Sequence, residues 1–473
     1  MHSQVVVLGG GPGGYAAAFL AADLGLEVAI VEADPRLGGT CLLRGCIPSK
    51  ALLHVAKVIS EAEEMADWGV EFSKPQVNID KVRARKDKIV DALTSGLGQL
   101  AERRKVKKIH ARGVFVDSNT LELEGGNPDT YESKRLTFDH CILATGSVPA
   151  MPKAFNIGSP RVMDSTGALE LEELPGSLLV VGGGYIGLEM GTVYSELGTD
   201  VSVVELADGL LPGADRDLVK PLINRVHERF ASVQTNTKVV SLKDVGDGVD
   251  VELEGPEGTT TKKFDRVLIS IGRRPVSSGF GLENTKVTIN ERGFVEVDKQ
   301  QKTSDPSILA IGDVAGDPML AHKAAVEGKV AAEVLAGEPA AFDVVAIPAV
   351  VFTDPEIAWA GLTAEEAKAQ GRKIKVAQYP WQASGRAMAN GRTDGLTKWI
   401  IDPETERVLG CGVVGYGAGE LIGEAVLAIE MGCHIRDIAD SVHPHPTMSE
   451  TIAFAGEVHL GTATEVYRPK RKK

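Results

Sequence analysis

One motif occurs twice in this chain at a fixed offset, and that repeat restricts the possible folds more than any other feature. Residues 4–8 read as a buried strand, followed by a glycine turn, an alanine-rich helix to Leu24, a strand over 28–31, and Glu32. A second unit has a strand over 178–181, a glycine turn, a helix to Leu197, a strand over 201–204, and Glu205. Subtracting 173 carries Gly182, Gly184, Gly187, Gly198 and Glu205 onto Gly9, Gly11, Gly14, Gly25 and Glu32 without a gap.

Strand, G-x-G-x-x-G, helix, strand and acid together describe a dinucleotide-binding unit. The first glycine permits the tight turn, the second lets a pyrophosphate approach the backbone, and the third lets helix and strand pack closely. The helix N-terminus then offers free N–H groups and a positive dipole end to the phosphates. The terminal acid accepts hydrogen bonds from a ribose diol. A bare glycine triplet is weak; the flanking strand, helix and acid make this one specific. Two such sites in one chain point to electron transfer between two cofactors, the alternative being one working site and one decayed copy. Glu32 and Glu205 both favour a free 2′-hydroxyl and repel a 2′-phosphate. The first arginine after Glu205 is Arg216, so the second site is expected to take NAD rather than NADP. The first is then expected to hold FAD.

The segment FDHCILATGS is a buried strand ending at Gly146, and RVLISIGRRP resembles it near Gly272. They read as the chain leaving the first domain and later leaving the second. SILAIGDV, residues 307–314, is a strand ending in Gly-Asp, with Asp313 placed either for the ribityl chain of a flavin or to cap the next helix. The expected class is α/β, with one Rossmann-like dinucleotide-binding domain inserted in another and a further C-terminal domain. The expected spans are 1–147 for the first part of the FAD domain, 148–275 for the NAD domain, 276–345 for the resumed central part, and 346–473 for the C-terminal domain.

Composition narrows the function. With 65 acidic against 51 basic side chains the net charge is −14, which argues against general nucleic-acid binding. No apolar run approaches the roughly 18 residues needed to span a bilayer. The opening MHSQVVVLGG lacks the features of an export or transit signal, so a cytoplasmic location is expected. The basic end RPKRKK reads as a solvated mobile terminus, with a docking role second. The 53 glycines make up about 11% of the chain against an average near 7%. About a third of them fall in the nucleotide turns and in one cysteine segment.

That segment is GGTCLLRGCIPSKALLH. Of five cysteines, Cys41 and Cys46 sit together, while Cys141, Cys411 and Cys433 are scattered and read as buried small hydrophobes. In an ideal helix, Cα atoms five residues apart lie roughly 8–9 Å from each other, and a disulfide needs less than about 7 Å. A bonded pair therefore requires a distorted turn, which Gly38, Gly39 and Gly45 would permit. C-x4-C is not a usual zinc spacing and no second Cys/His pair accompanies it, so no metal is expected. A redox dithiol beside a flavin remains, with two unpaired core thiols as the alternative. Arg44 either lowers a thiol pKa or points to solvent. Lys50 either pairs with an acid near the flavin, Glu189 being the candidate, or is a solvated surface charge.

Near the end, DSVHPHPTMSE places His445 between prolines with Glu450 five residues on. A thiol of pKa about 8.5 is mostly protonated at neutral pH, and the thiolate is the nucleophile. An imidazole can take that proton, and a carboxylate on its other nitrogen fixes the tautomer. His443 is the rival but lacks the His-Pro-Thr context.

The first glycine loop, GGTCLLRGCIPSK, ATGS, GGGYIGLE, IGRRP, AIGDV, MLAHKA and HPHPTMSE together resemble the flavin-dependent pyridine nucleotide-disulfide oxidoreductases in the family's own order. The resemblance covers essentially the whole chain. Within the family it points to the member that oxidises protein-bound dihydrolipoamide with NAD+ and serves 2-oxo acid dehydrogenase complexes or glycine cleavage. It implies a homodimer with the C-terminal segment as interface, FAD and NAD as cofactors, and lipoyl domains or the glycine cleavage carrier protein as partners. It also implies that His445, oriented by Glu450, serves the partner subunit's flavin. Cys41 is implied as the exchanging thiol, Cys46 as the thiol facing the flavin, and Lys50–Glu189 as an ion pair beside it. For FAD it implies Gly9, Gly11, Gly14, Glu32, Gly39, Thr40, Lys50, Gly113, Thr145, Gly146, Asp313 and Ala321. For NAD it implies Gly182, Gly184, Ile186, Gly187, Glu205 and Gly272. The Leu43-Arg44 pair departs from the commoner Asn-Val type, and Tyr185 stands where many relatives carry an aliphatic residue, where it is expected to gate the nicotinamide pocket. The rival readings are a glutathione-reductase-like enzyme and a non-catalytic flavoprotein subunit.

Overall fold

A computed structural model describes residues 1–467; the basic end from residue 468 lies outside the described residues. The repeated units form two separate sheets; the second is parallel throughout, and the first is parallel except for Arg112–Asp117 and Thr120–Glu124, which join it through antiparallel pairings. In the first, strand His2–Leu8 pairs in parallel with Val28–Glu32 on one side and Arg135–Leu143 on the other. Lys107–His110 extends that sheet, and Ile308–Ala310 returns from far along the chain to pair with Arg135–Leu143. In the second, Ser177–Val181 lies between Asp200–Val204 and Arg266–Ile269, with Ser232–Gln234 and Val162–Met163 at the edges. The central strands are nearly continuous apolar runs because helices or loops cover both faces. Val6, Val7, Leu179 and Val180 are fully buried.

Each unit's helix starts immediately after its second glycine, at Pro12–Asp23 and Tyr185–Glu196, and stops one residue short of the leucine expected from the pattern. The turns superimpose in their bonding. Gly9 N–H donates to Val31 O at 2.9 Å, and Gly182 N–H to Val204 O at 2.8 Å. A Cβ on Gly14 would stand 1.9 Å from Gly9 O, and one on Gly187 2.3 Å from Gly182 O. Only a bare backbone lets the helix sit that close to the turn.

The chain passes between the two sheets through one antiparallel ribbon, Ser147–Pro149 against Arg273–Pro275. The way out of the first sheet and the way back are therefore neighbours, at the two glycine-ended strands noted in the sequence. A three-stranded antiparallel sheet, running through Lys238–Asp244, Val249–Gly255 and Gly258–Phe264, flanks the second unit. The C-terminal segment is a different architecture. It is a five-stranded antiparallel sheet in the order Ala349–Val351, Glu356–Gly361, Val408–Gly415, Leu396–Ile401, Lys375–Pro380. Helices Ala418–Glu430 and Glu450–Leu460 pack on it around buried Trp381, Trp399 and Tyr379. None of the described helices is long and apolar enough to cross a membrane. Of the scattered cysteines, Cys141 and Cys411 are buried as expected, whereas Cys433 is only half-buried.

Candidate active site

The cysteines do not share one helix. Helix Gly39–Arg44 carries Cys41 and breaks at Gly45, and helix Cys46–Glu64 begins at Cys46. Gly45 adopts φ −151°, ψ −111°, and a Cβ there would meet Thr40 O at 2.8 Å. The distortion expected of the first turn is thus a full break, and it brings the two thiols within hydrogen-bonding reach as free cysteines. They are not equivalent. The hydrogen bond from Cys41 pulls the Cys46 thiol down to about 7, with help from the Lys50 cation. Cys46 also opens a 19-residue helix, whose N-terminus favours a thiolate. The same hydrogen bond, with burial and the neighbouring thiolate, pushes Cys41 up. The two shifts run in opposite directions, which favours Cys46 over Cys41 as the thiolate.

Lys50 lies one helical turn further on, and its Nζ donates to Glu189 Oε2 at 2.8 Å. Glu189 is almost wholly buried, and its Oε1 accepts the Phe352 backbone N–H at 3.0 Å. The Phe352 ring faces the Lys50 ammonium at 4.3 Å. The pair thus joins the dithiol helix, the helix of the second glycine unit and the C-terminal segment. Phe352 has no local signal in the sequence; its role exists only through contacts some 163 residues away.

All twelve residues expected around FAD line one cleft, together with Cys41, Cys46, Glu189, Tyr185 and Ile186. The cleft fits a dinucleotide. Gly9 has φ +112° and a Cβ there would strike Ala144 O at 2.3 Å, whereas the space before Gly11 is bounded only by Gly39 Cα at 3.7 Å. Glu32 holds the turn: Oε2 accepts the Gly10 N–H at 2.6 Å and Oε1 the Asp34 N–H at 2.8 Å. Burial pushes its carboxyl up, and these N–H groups oppose that shift. Asp313 does not cap the following helix, which begins at Ala321 with Leu320 before it. It sits in a single turn, Gly312–Val314, and accepts the Ser147 hydroxyl, which in turn accepts Arg273 Nε at 2.7 Å. Tyr185 lines the cleft and is 40% exposed. Arg44 pairs through its guanidinium with Asp34, with its side chain 37% exposed.

The second turn has the same internal bonds. Glu205 Oε2 accepts the Gly183 N–H and Oε1 the Ala207 N–H, both at 2.7 Å. No atom stands within 4 Å of a Cβ built on Gly184 or Gly272, so both face open space. Arg216 donates to the carbonyls of Leu210 at 2.7 Å and Leu211 at 2.6 Å, and its Nε lies 3.4 Å from Glu365 Oε1. The donor set suits a dinucleotide with a free ribose diol.

His445 and Glu450 lie elsewhere. His445 Nδ1 bonds Glu450 Oε1 at 2.8 Å, and Glu450 Oε2 accepts the Thr447 N–H at 2.8 Å. The carboxylate is buried but the imidazole is 79% exposed, and it does not line the cleft that holds the cysteines. His443 forms its own pair, Nε2 with Glu424 Oε1 at 2.8 Å.

Residues 3–328 match the family described as pyridine nucleotide-disulphide oxidoreductase, and residues 347–455 match its dimerisation domain. The chain belongs to this family. It is an oxidoreductase of the α/β nucleotide-binding fold with a C-terminal dimerisation domain, and the family couples flavin and pyridine nucleotide use. Among curated proteins it is 48% identical to the dihydrolipoyl dehydrogenase of Vibrio cholerae over 474 residues, covering 100% of this chain and 99% of that one. The dihydrolipoyl dehydrogenase of Halobacterium salinarum is 43% identical, with 98% and 97% covered. Among solved structures, LpdA from Mycobacterium tuberculosis superimposes with TM-score 0.88 at 28% identity, covering 96% and 99%. The HOCl-induced flavoprotein disulfide reductase RclA from Escherichia coli gives 0.84 at 28% identity, covering 95% and 98%.

Proposed function

We propose that the chain oxidises dihydrolipoamide to lipoamide with NAD+, as a dihydrolipoyl dehydrogenase. The observation that carries this is the dithiol itself: Cys41 and Cys46, on either side of the helix break at Gly45, line the first nucleotide cleft beside the Lys50–Glu189 pair. When bound, FAD supplies the two-electron carrier between dithiol and nicotinamide. The chain's own residues do the rest. His445 accepts the substrate thiol proton at Nε2, because Glu450 occupies Nδ1. The substrate thiolate attacks Cys41 in the Cys41–Cys46 disulfide. Cys46 leaves as the thiolate that the helix start and Lys50 stabilise. The second substrate thiol then closes the lipoyl disulfide and releases Cys41. Lys50, Glu189 and Phe352 hold the dithiol helix against the flavin side of the cleft, and Tyr185 screens the nicotinamide approach.

Because His445 is exposed and outside the cysteine cleft, a working site is built from two copies of the chain. Lipoyl domains are the macromolecular substrate, and the enzyme is a component of a 2-oxo acid dehydrogenase complex. Cys46→Ser should keep flavin and lose lipoamide-dependent NAD+ reduction, measured beside NADP+ and glutathione disulfide as controls; normal turnover in this variant would end the assignment. Mixing Cys46→Ser with His445→Gln chains gives mixed dimers with one intact site, and about a quarter of normal activity should return. No recovery would place the catalytic histidine within its own subunit.

A further inference from the structure

The first glycine turn lies in a closed ring of polar contacts. Gly10 N–H donates to Glu32, Asp34 N–H donates to the other oxygen of Glu32, and the Asp34 carboxylate pairs with Arg44. Arg44 ends helix Gly39–Arg44, and just before that helix Gly38 N–H returns to Gly10 O at 2.8 Å. The ring thus runs from the glycine turn through the ribose acid to the dithiol segment and back. Arg44 and Asp34 both line the cleft.

The second unit repeats every link but one. Adding 173 to 38 gives Leu211, whose N–H donates to Gly183 O at 3.0 Å. Adding 173 to 34 gives Ala207, whose N–H donates to Glu205 but which has no carboxylate. Adding 173 to 44 gives Asp217, whose oxygens go instead to Lys398 Nζ at 2.6 Å and Gln378 Nε2 at 2.7 Å. The second ring is open where the first is closed.

We propose that the Arg44–Asp34 pair is a strap that closes the first cradle over the adenosine half of its dinucleotide, and that its absence leaves the second cradle free to exchange its own. Arg44 is then a positioning residue for cofactor retention, joining the dithiol segment to the ribose end. This rests on the reading above that the first cradle holds FAD. Closing takes place by charge across a gap about one-third exposed on each side, so it is sensitive to salt.

The test is the rate of flavin release from the holoenzyme, followed by fluorescence after dilution into flavin-free buffer. Arg44→Met and Asp34→Asn should each speed release by about fivefold, the size of one partly exposed ion pair. The double variant should release no faster than either single, and exchanging the charges (Arg44→Asp with Asp34→Arg) should slow release again. Added salt should speed release from the unmodified enzyme and erase its advantage over Arg44→Met. Unchanged release in both single variants, effects that multiply in the double, or an advantage indifferent to salt would each overturn the strap. If the unmodified protein held no flavin at all, the proposed function itself would fall first.

Discussion

Gly10 and Gly183 donate the same hydrogen bond to the same kind of acid, 173 residues apart, yet the two turns stand in different surroundings. Around the first, the dithiol segment, Asp313 and Ala321 complete a walled cleft. Beside the second, Leu206 is 69% and Ile271 45% exposed. The recurring glycines and acid yield the same local bonding in both turns. Whether a turn grips or merely receives a nucleotide is decided by residues brought to it from elsewhere in the chain.

The comparison can be broken most severely at the third glycine of each turn. Gly14→Ala forces a Cβ to 1.9 Å from backbone and should yield protein without flavin, read from the visible spectrum of the purified chain. Gly187→Ala, at 2.3 Å, should keep the flavin and lose NAD+ saturation. Equal loss of flavin in both would mean that the two turns are not independent. Next in size, Glu205→Gln weakens charge-assisted bonds to two N–H groups and should raise the KM for NAD+ by about tenfold with flavin retained. An unchanged KM would deny the second acid its role.

Smaller still is an effect confined to the first cradle, since the second has no dithiol. Cys46 faces Cys41, Lys50 and Glu189. It should pass from thiol to thiolate near pH 7 in the reduced enzyme. Lys50→Met removes the stabilising cation while Glu189 remains, so the midpoint should rise by roughly one pH unit. Less thiolate would then be present at neutral pH. Ultraviolet thiolate absorbance of the reduced protein against pH would show this, and a fixed midpoint would remove Lys50 from the account.

Much of this was legible in the chain alone. The glycine offset predicts the central strands and the first helix of each unit to within a residue or two, because those elements follow from local periodicity and turn chemistry; the edge strands of both sheets were not foreseen. The cleft around Cys41, Cys46, Lys50 and Glu189 was equally readable as a set of residues. What was not readable are the partners. Nothing near Arg44 announces Asp34, and nothing near Glu189 announces Phe352, because such contacts depend on how distant elements pack. The break at Gly45 was foreseen only as a distortion; ψ at a glycine has no signature in its neighbours. Asp313 could be read as a cap or as a ligand residue; the next helix starting at Ala321 removes the first reading, and nothing near Asp313 announces the Ser147 hydroxyl that it accepts.

That hydroxyl belongs to the ribbon through which the chain enters and leaves the inserted unit. Arg273 on the return strand holds Ser147 Oγ at 2.7 Å and Ser147 O at 2.8 Å. The stem that carries the whole inserted unit is therefore fastened to the carboxylate that faces the first cleft. A tilt of that unit pulls on Asp313 directly, so the joint that lets one half of the molecule be grafted into the other also serves as a mechanical linkage between them.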